Sequence, residues 1–218
     1  MTFSIIGRCP RTGQFGAVTA TSNIAVGARV THCAAGVGAV LTQHRTDPRL
    51  GPRGLALLRS GCSAQETVDA LVASTPYAHW RQLAALDATG RSAAFSGART
   101  RPEMSEAAAE NACAIGNILA SARVPVAMLR RFQADPSAPL AERLMAALED
   151  GLAAGGEQGP VRSAHLLVVE RESFPLVDLR VDWHDQPVAE LRALWNRYAP
   201  EMGQYVLRAL EPEGKLSP

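Results

Sequence analysis

The chain opens on alternating apolar and polar positions. Phe3 to Arg8 and Gly16 to Thr21 are short β-type runs, linked by Cys9-Pro10-Arg11-Thr12-Gly13-Gln14. Pro and Gly in so short a polar link predict a hairpin. Asn23 to Gly27 reads as a turn and Ala28 to Cys33 as an apolar, extended stretch. Ala35 to Leu41 is predicted to be a buried strand, whose Gly36 and Gly38 let another backbone or a ligand come close. The pattern changes at Thr42-Gln43-His44. Leu55, Leu57 and Leu58 predict a helix beyond Pro52, ended by Gly61. Ser63-Ala64-Gln65-Glu66 forms a capping box, with Val68, Leu71 and Val72 on one helical face before Pro76. A second hairpin follows, Gln82 to Leu86 and Arg91 to Phe95 around Asp87-Ala88-Thr89-Gly90.

Gly97 to Asn111 is polar and rich in Ala and Glu, which predicts a loop with a helical turn in it. Cys113 to Leu119 reads as a short strand ending near Gly116-Asn117. Pro125 and Pro139 suit first helical positions, and Leu140, Leu144, Ala147 and Leu148 recur at helical spacing until Gly155-Gly156. Strands at Ala164 to Glu170 and Leu176 to Asp182 precede a last helix from about Pro187. Hairpin-linked strands thus alternate with runs of helix. That order predicts an α+β protein with antiparallel sheets covered by helices, not a doubly wound parallel sheet.

Composition narrows the picture only a little. The 218 residues are 47% hydrophobic and 20% charged, enough for one domain over 1–210, with 211–218 expected to be a disordered tail. A net charge of +1 gives no basis for a nucleic-acid or membrane-surface partner. Cys9, Cys33, Cys62 and Cys113 form no C-x-x-C pair, which fits reduced thiols, and the first residues do not read as a signal peptide. A cytoplasmic protein is expected. Lysine is confined to Lys215, so it cannot serve as a catalytic group in the body of the fold.

Thr2 is the residue that carries most chemistry. Removal of the initiator methionine before so small a residue would leave a threonine with both a hydroxyl and a free α-amine. An α-amine titrates near 7.7–8.0 and can act as a base close to neutrality. A hydroxyl beside such an amine is one recognised form of activated nucleophile. A small residue at position 2 commonly means no more than methionine removal. A strand that begins at once, however, holds a terminal nucleophile rigidly.

Several segments then point the same way: Thr2-Phe3-Ser4-Ile5-Ile6, Ala25-Val26-Gly27, Ala35 to Gln43, Gly51 to Leu55, Arg81-Gln82, Gly116 to Leu119 and Val177 to Asp182. In order and spacing they resemble the bacterial and archaeal domain-of-unknown-function family 1028, from Thr2 to about Tyr198. The resemblance implies an Ntn-hydrolase-like four-layer αββα sandwich, two antiparallel sheets flanked by helices, and implies no defined reaction. By analogy with N-terminal-nucleophile hydrolases, Thr42-Gln43-His44 would be an oxyanion-binding turn and Asn117 an added side-chain donor, one such donor typically being worth about 3–4 kcal/mol of barrier. Thr2, Gln43 and Asn117 are therefore the catalytic candidates. Thr42, His44, Arg81 and the pair Ser22 and Asn23 are the substrate-binding candidates, and Thr2, Thr42, Gln43 and Asn117 are expected to converge on one pocket. Arg29, Arg45 or Arg81 would supply the positive charge that lysine gives elsewhere. The chain departs from the family pattern at Leu41, at Ile115 and in the histidine-free segment from Thr100 to Ala112.

Other constellations carry less. His32, His44, His79, His165 and His184 lie on separate segments without metal-ligand spacing, so no metal is expected. Gly36 and Gly38 do not extend to a dinucleotide fingerprint, and no cofactor is expected. Trp183, Trp195, Tyr198 and Tyr205 suit either helix-to-sheet core or the face of a homodimer. Two functions remain: an N-terminal-nucleophile hydrolase of an amide, ureido or peptide-like small molecule, and a non-catalytic scaffold binding a small ligand or protein partner.

Overall fold

A computed structural model describes residues 1–213. Among these the order of elements is β1 (Thr2–Arg8), β2 (Phe15–Thr21), β3 (Thr31–Ala34), β4 (Gly38–His44), α1 (Leu50–Arg59), α2 (Ala64–Ala73), β5 (Arg81–Asp87), β6 (Ser92–Ser96), β7 (Met104–Ala109) and β8 (Ala112–Asn117). Then come α3 (Arg123–Ala134), α4 (Leu140–Ala153), β9 (Ser163–Val169), β10 (Val177–Val181), α5 (Pro187–Tyr198) and α6 (Met202–Leu210). The strands form two sheets, ordered β10-β9-β2-β1-β8-β7 and β3-β4-β5-β6, and every pairing is antiparallel. The mixed α+β class and the two antiparallel sheets are as the sequence pattern predicts.

Side-chain alternation decides which strand face meets which neighbour. In β1, Phe3 and Ile5 enter a core with Met128, Phe132, Leu144 and Leu148 of α3 and α4. Ile6 points the other way, into a core with Leu41, Ala84, Leu86, Cys113 and Ile115. The faces of β4 divide likewise: Ala39 and Leu41 meet the larger sheet, while Val40 packs with Leu50, Val68 and Leu71 of α1 and α2. Helices α3, α4 and α5 pack on the six-stranded sheet, α1 and α2 on the four-stranded one, and the two sheets contact each other.

The same alternation explains where polar groups are buried. Ser4, Thr19, Gln43, Gln82 and Asn117 share the inter-sheet face with the apolar residues further along their own strands, and all are buried. The space between the sheets is therefore apolar at one end and polar at the other. A second polar link ties the sheets at β3, β9 and β10. Thr31 Oγ1 lies 2.6 Å from His165 Nδ1, and His165 Nε2 lies 2.9 Å from Asp178 Oδ1.

Local structure departs from the sequence reading in four places. The segment read as a loop at Gly97 to Asn111 contains β7, an edge strand of small, half-exposed residues paired only with β8. Its ladder hydrogen bonds come from tertiary pairing, which outweighs the helical propensity of Ala and Glu. The strand expected at Ala35 to Leu41 runs instead from Gly38 to His44, so Thr42-Gln43-His44 is strand and not turn. Ala35-Gly36-Val37 makes the preceding turn, with Gly36 at φ 68°. Pro125 is the third residue of α3 and Pro139 caps α4. The last helix is split into α5 and α6. Of the tail expected at 211–218, residues 214–218 lie outside the described residues.

Candidate functional site

The polar end of the inter-sheet space opens into a cleft of about 490 Å³. Thr2, Thr21, Asn23 and Val26 wall it from the larger sheet's side, and Val30, His44, Arg45, Thr46 and Arg81 from the smaller sheet's side. The volume suits a small metabolite.

Thr2 is the first residue of β1, the strand between β2 and β8, and it is nearly buried at 5% exposure. Its Oγ1 lies 3.2 Å from Thr21 Oγ1, and both hydroxyls donate to the carbonyl oxygen of Met1. With Met1 attached, the Thr2 nitrogen is an amide and not a base. The ammonium group of Met1 has its pKa lowered, first by burial, with Glu157 opposing the shift and Arg45 adding to it.

Gln43 and Asn117 lie beneath the cleft and do not line it. Thr2 and Asn117 are partners across β1 and β8. Asn117 Nδ2 donates to Gln82 Oε1 at 3.0 Å, and Gln43 Nε2 donates to the same oxygen at 2.7 Å. Gln82 Nε2 in turn donates to Gly116 O and Ser96 Oγ, each at 2.9 Å, and Ser4 Oγ donates to Gln43 Oε1 at 2.8 Å. These donors are spent on one another, which rigidifies the floor and fixes the start of β1. Asn117 Oδ1 is left buried without a partner.

Thr42 faces the opposite way. Its Oγ1 donates to Asp47 O at 3.3 Å and its backbone N–H donates to Val30 O at 3.1 Å, so it offers nothing to the cleft. Of the expected convergence, the structure brings Thr2, Asn117 and Gln43 to one end of the inter-sheet space and leaves Thr42 on the helix-covered face. Among the residues read as substrate-binding, Asn23, His44 and Arg81 line the cleft, while Thr42 and Ser22 do not.

His44 ends β4 with φ 72°, a conformation that costs a non-glycine residue energy and recurs at functional sites. Its Nδ1 is 2.9 Å from Trp80 O, which makes Nδ1 the donor and leaves the Nε2 lone pair free. The ring stacks on Trp80 with centroids 5.9 Å apart. Burial lowers its pKa, the Trp80 carbonyl opposes, and the chain-terminal ammonium, Arg45 and Arg81 lower it further, so His44 is neutral near pH 7. Trp80 also carries the guanidinium groups of Arg45 and Arg99 over its ring at 5.4 and 5.2 Å.

Glu157 lines a separate cavity and not this cleft, yet it faces the Met1 ammonium; the sequence did not mark it, because Gly155-Gly156 before it reads simply as the end of a helix. Its backbone bridges to Leu119, just beyond β8, and the next residue donates from N to Ile118 O at 3.0 Å. The carboxylate is buried and both oxygens lack a hydrogen-bond partner. Burial pushes its pKa up to about 7, against the pull of the chain-terminal ammonium and then of Ser22. No group of three or more His, Cys, Asp or Glu suited to a metal occurs among the described residues.

Two antiparallel sheets covered by helices, with a hydroxyl at the start of a central strand and a cationic cleft above it, define the class. The chain belongs to the family of unknown function DUF1028, which it matches over residues 2–191. A crystal structure of a Silicibacter pomeroyi protein of that family is similar over 91% of this chain and 89% of its own, with 31% identity and a TM-score of 0.84. The Anbu (ancestral beta-subunit) protein of Yersinia bercovieri aligns over 98% of this chain and 100% of its own, at 13% identity and a TM-score of 0.40, too loose a likeness to carry an argument. None of the curated proteins matches the chain.

Proposed function

We propose that this protein is an N-terminal-nucleophile hydrolase with Thr2 as nucleophile, acting on an amide, ureido or peptide-like small molecule. The observation that carries this reading is the place of Thr2, at the first position of central strand β1 and at the edge of a cleft. Helices on the outer faces of both contacting sheets support the αββα layering of such enzymes. Removal of Met1 frees the Thr2 and Thr21 hydroxyls and turns the Thr2 nitrogen from an amide into an α-amine.

Thr2 Oγ then attacks the substrate carbonyl, and its proton passes through a water to the α-amine. Collapse breaks the C–N bond as the amine returns that proton to the leaving nitrogen. Water hydrolyses the threonine ester and restores the hydroxyl. The guanidinium groups of the cleft supply the positive field for the oxyanion, while Gln43 and Asn117 act by positioning β1. No helix among the described residues is long and apolar enough to cross a membrane, and the four free cysteines accord with a reducing cytoplasm.

Intact mass should show a mature chain beginning at Thr2. In a screen of small amides and ureides, Thr2→Ala should lose turnover by at least about 10³-fold with its melting temperature nearly unchanged. Retention of Met1 in the native host, or equal turnover by both forms, favours the non-catalytic scaffold.

A further inference from the structure

The cleft holds more positive charge than hydrolysis of a neutral amide calls for. Arg29, Arg45 and Arg81 all line it, and none of its lining residues is acidic. A single developing oxyanion is satisfied by one cation or a pair of donors. Arg29 and Arg45 form no ion pair among the described residues. Arg81 comes only within 4.0 Å of Asp47, whose two oxygens are already held by Arg49 at 2.9 and 2.8 Å. The Arg81 side chain is just 12% exposed, and its Nε is buried without a partner. A guanidinium withdrawn from water with an idle donor is a costly arrangement unless a ligand completes it. Position fits this role, because Arg81 opens β5 directly opposite His44 in the strand register, and Arg45 is held beside it over Trp80.

We infer that the cleft binds a small molecule bearing a carboxylate, with Arg81 as principal anchor and Arg45 beside it. This rests on the hydrolase reading for what happens next to that carboxylate, and names the substrates as N-acyl or N-carbamoyl amino acids and similar acidic amides.

The test uses a matched pair of probes, N-acetylglycine and its neutral counterpart N-acetylglycinamide, titrated by calorimetry into Thr2→Ala so that neither is turned over. N-acetylglycine should bind at least about tenfold more tightly, with a preference that shrinks as salt rises. Arg81→Gln should abolish the preference and Arg81→Lys should retain part of it. Arg45→Gln, a change at an exposed side chain, should weaken it without threatening the fold. Equal affinity for the two probes, binding of neither, or a preference that survives both glutamine variants overturns the inference. Binding to Thr2→Ala does not depend on catalysis. A carboxylate preference without Thr2-dependent turnover would therefore sink the hydrolase reading alone, and Thr2-dependent turnover without the preference would sink the anion site alone.

Discussion

Glu157 is a buried carboxylate with neither oxygen hydrogen-bonded, and its pKa stands near 7 in place of the usual 4.3 or so of an unfolded chain. Between those two values the unfolded chain binds fewer protons than the folded one. Stability therefore falls as pH rises through that window and stays lowered above it. Glu157→Gln should match the wild type at pH 4 and exceed it by up to about 2–3 kcal/mol at pH 8. Urea unfolding of both proteins at the two pH values checks this; an equal gap at both would mean that the carboxylate finds a partner in solution. The carboxylate faces the ammonium group of Met1, which opposes part of that upward shift.

At the scale of elements, β4 shows how much of the molecule the sequence carries. Gly36 and Gly38 announce a close approach, and the structure supplies one: a Cβ on Gly38 would sit 2.2 Å from Leu86 O, at a φ of 147°. Gly38→Ala should lower stability by about 2 kcal/mol or more, read as a fall in melting temperature. The hairpins and the capping box at Ser63 and Glu66 were legible because turn chemistry and alternation are local signals. Strand β7 was not, since an edge strand of Ala, Ser and Glu has no buried face to write into its pattern. Within the site, Thr2 could be read from type and place, and Arg81 from the family resemblance. The part played by Gln82 becomes visible only when strands distant in the chain lie side by side.

Across the whole molecule, the chain of Thr31, His165 and Asp178 fastens one sheet to the other. The Asp178 carboxyl is held below the ordinary carboxylate range, first by the hydrogen bond from His165, against burial, and then by Arg180. Its contribution is complete above the unfolded pKa of about 3.9 and is lost as pH falls through the folded value. Asp178→Asn should cost about 1–2 kcal/mol at pH 7, a gap that narrows below about pH 3.9 in urea titrations. The placement of β1 between β2 and β8 also sets an order of events. β1 cannot be enclosed on both sides until Asn117 has left the ribosome, roughly 6 to 23 s after Thr2 at ordinary rates of synthesis. Once it is enclosed, the Met1 carbonyl is gripped by two hydroxyls. Purified chains that still carry Met1 should resist methionine aminopeptidase when folded and yield to it in urea the enzyme tolerates, as mass spectrometry would record. On this reading the nucleophile is made during translation, and a chain that folds before it is trimmed stays inactive for as long as it stays folded.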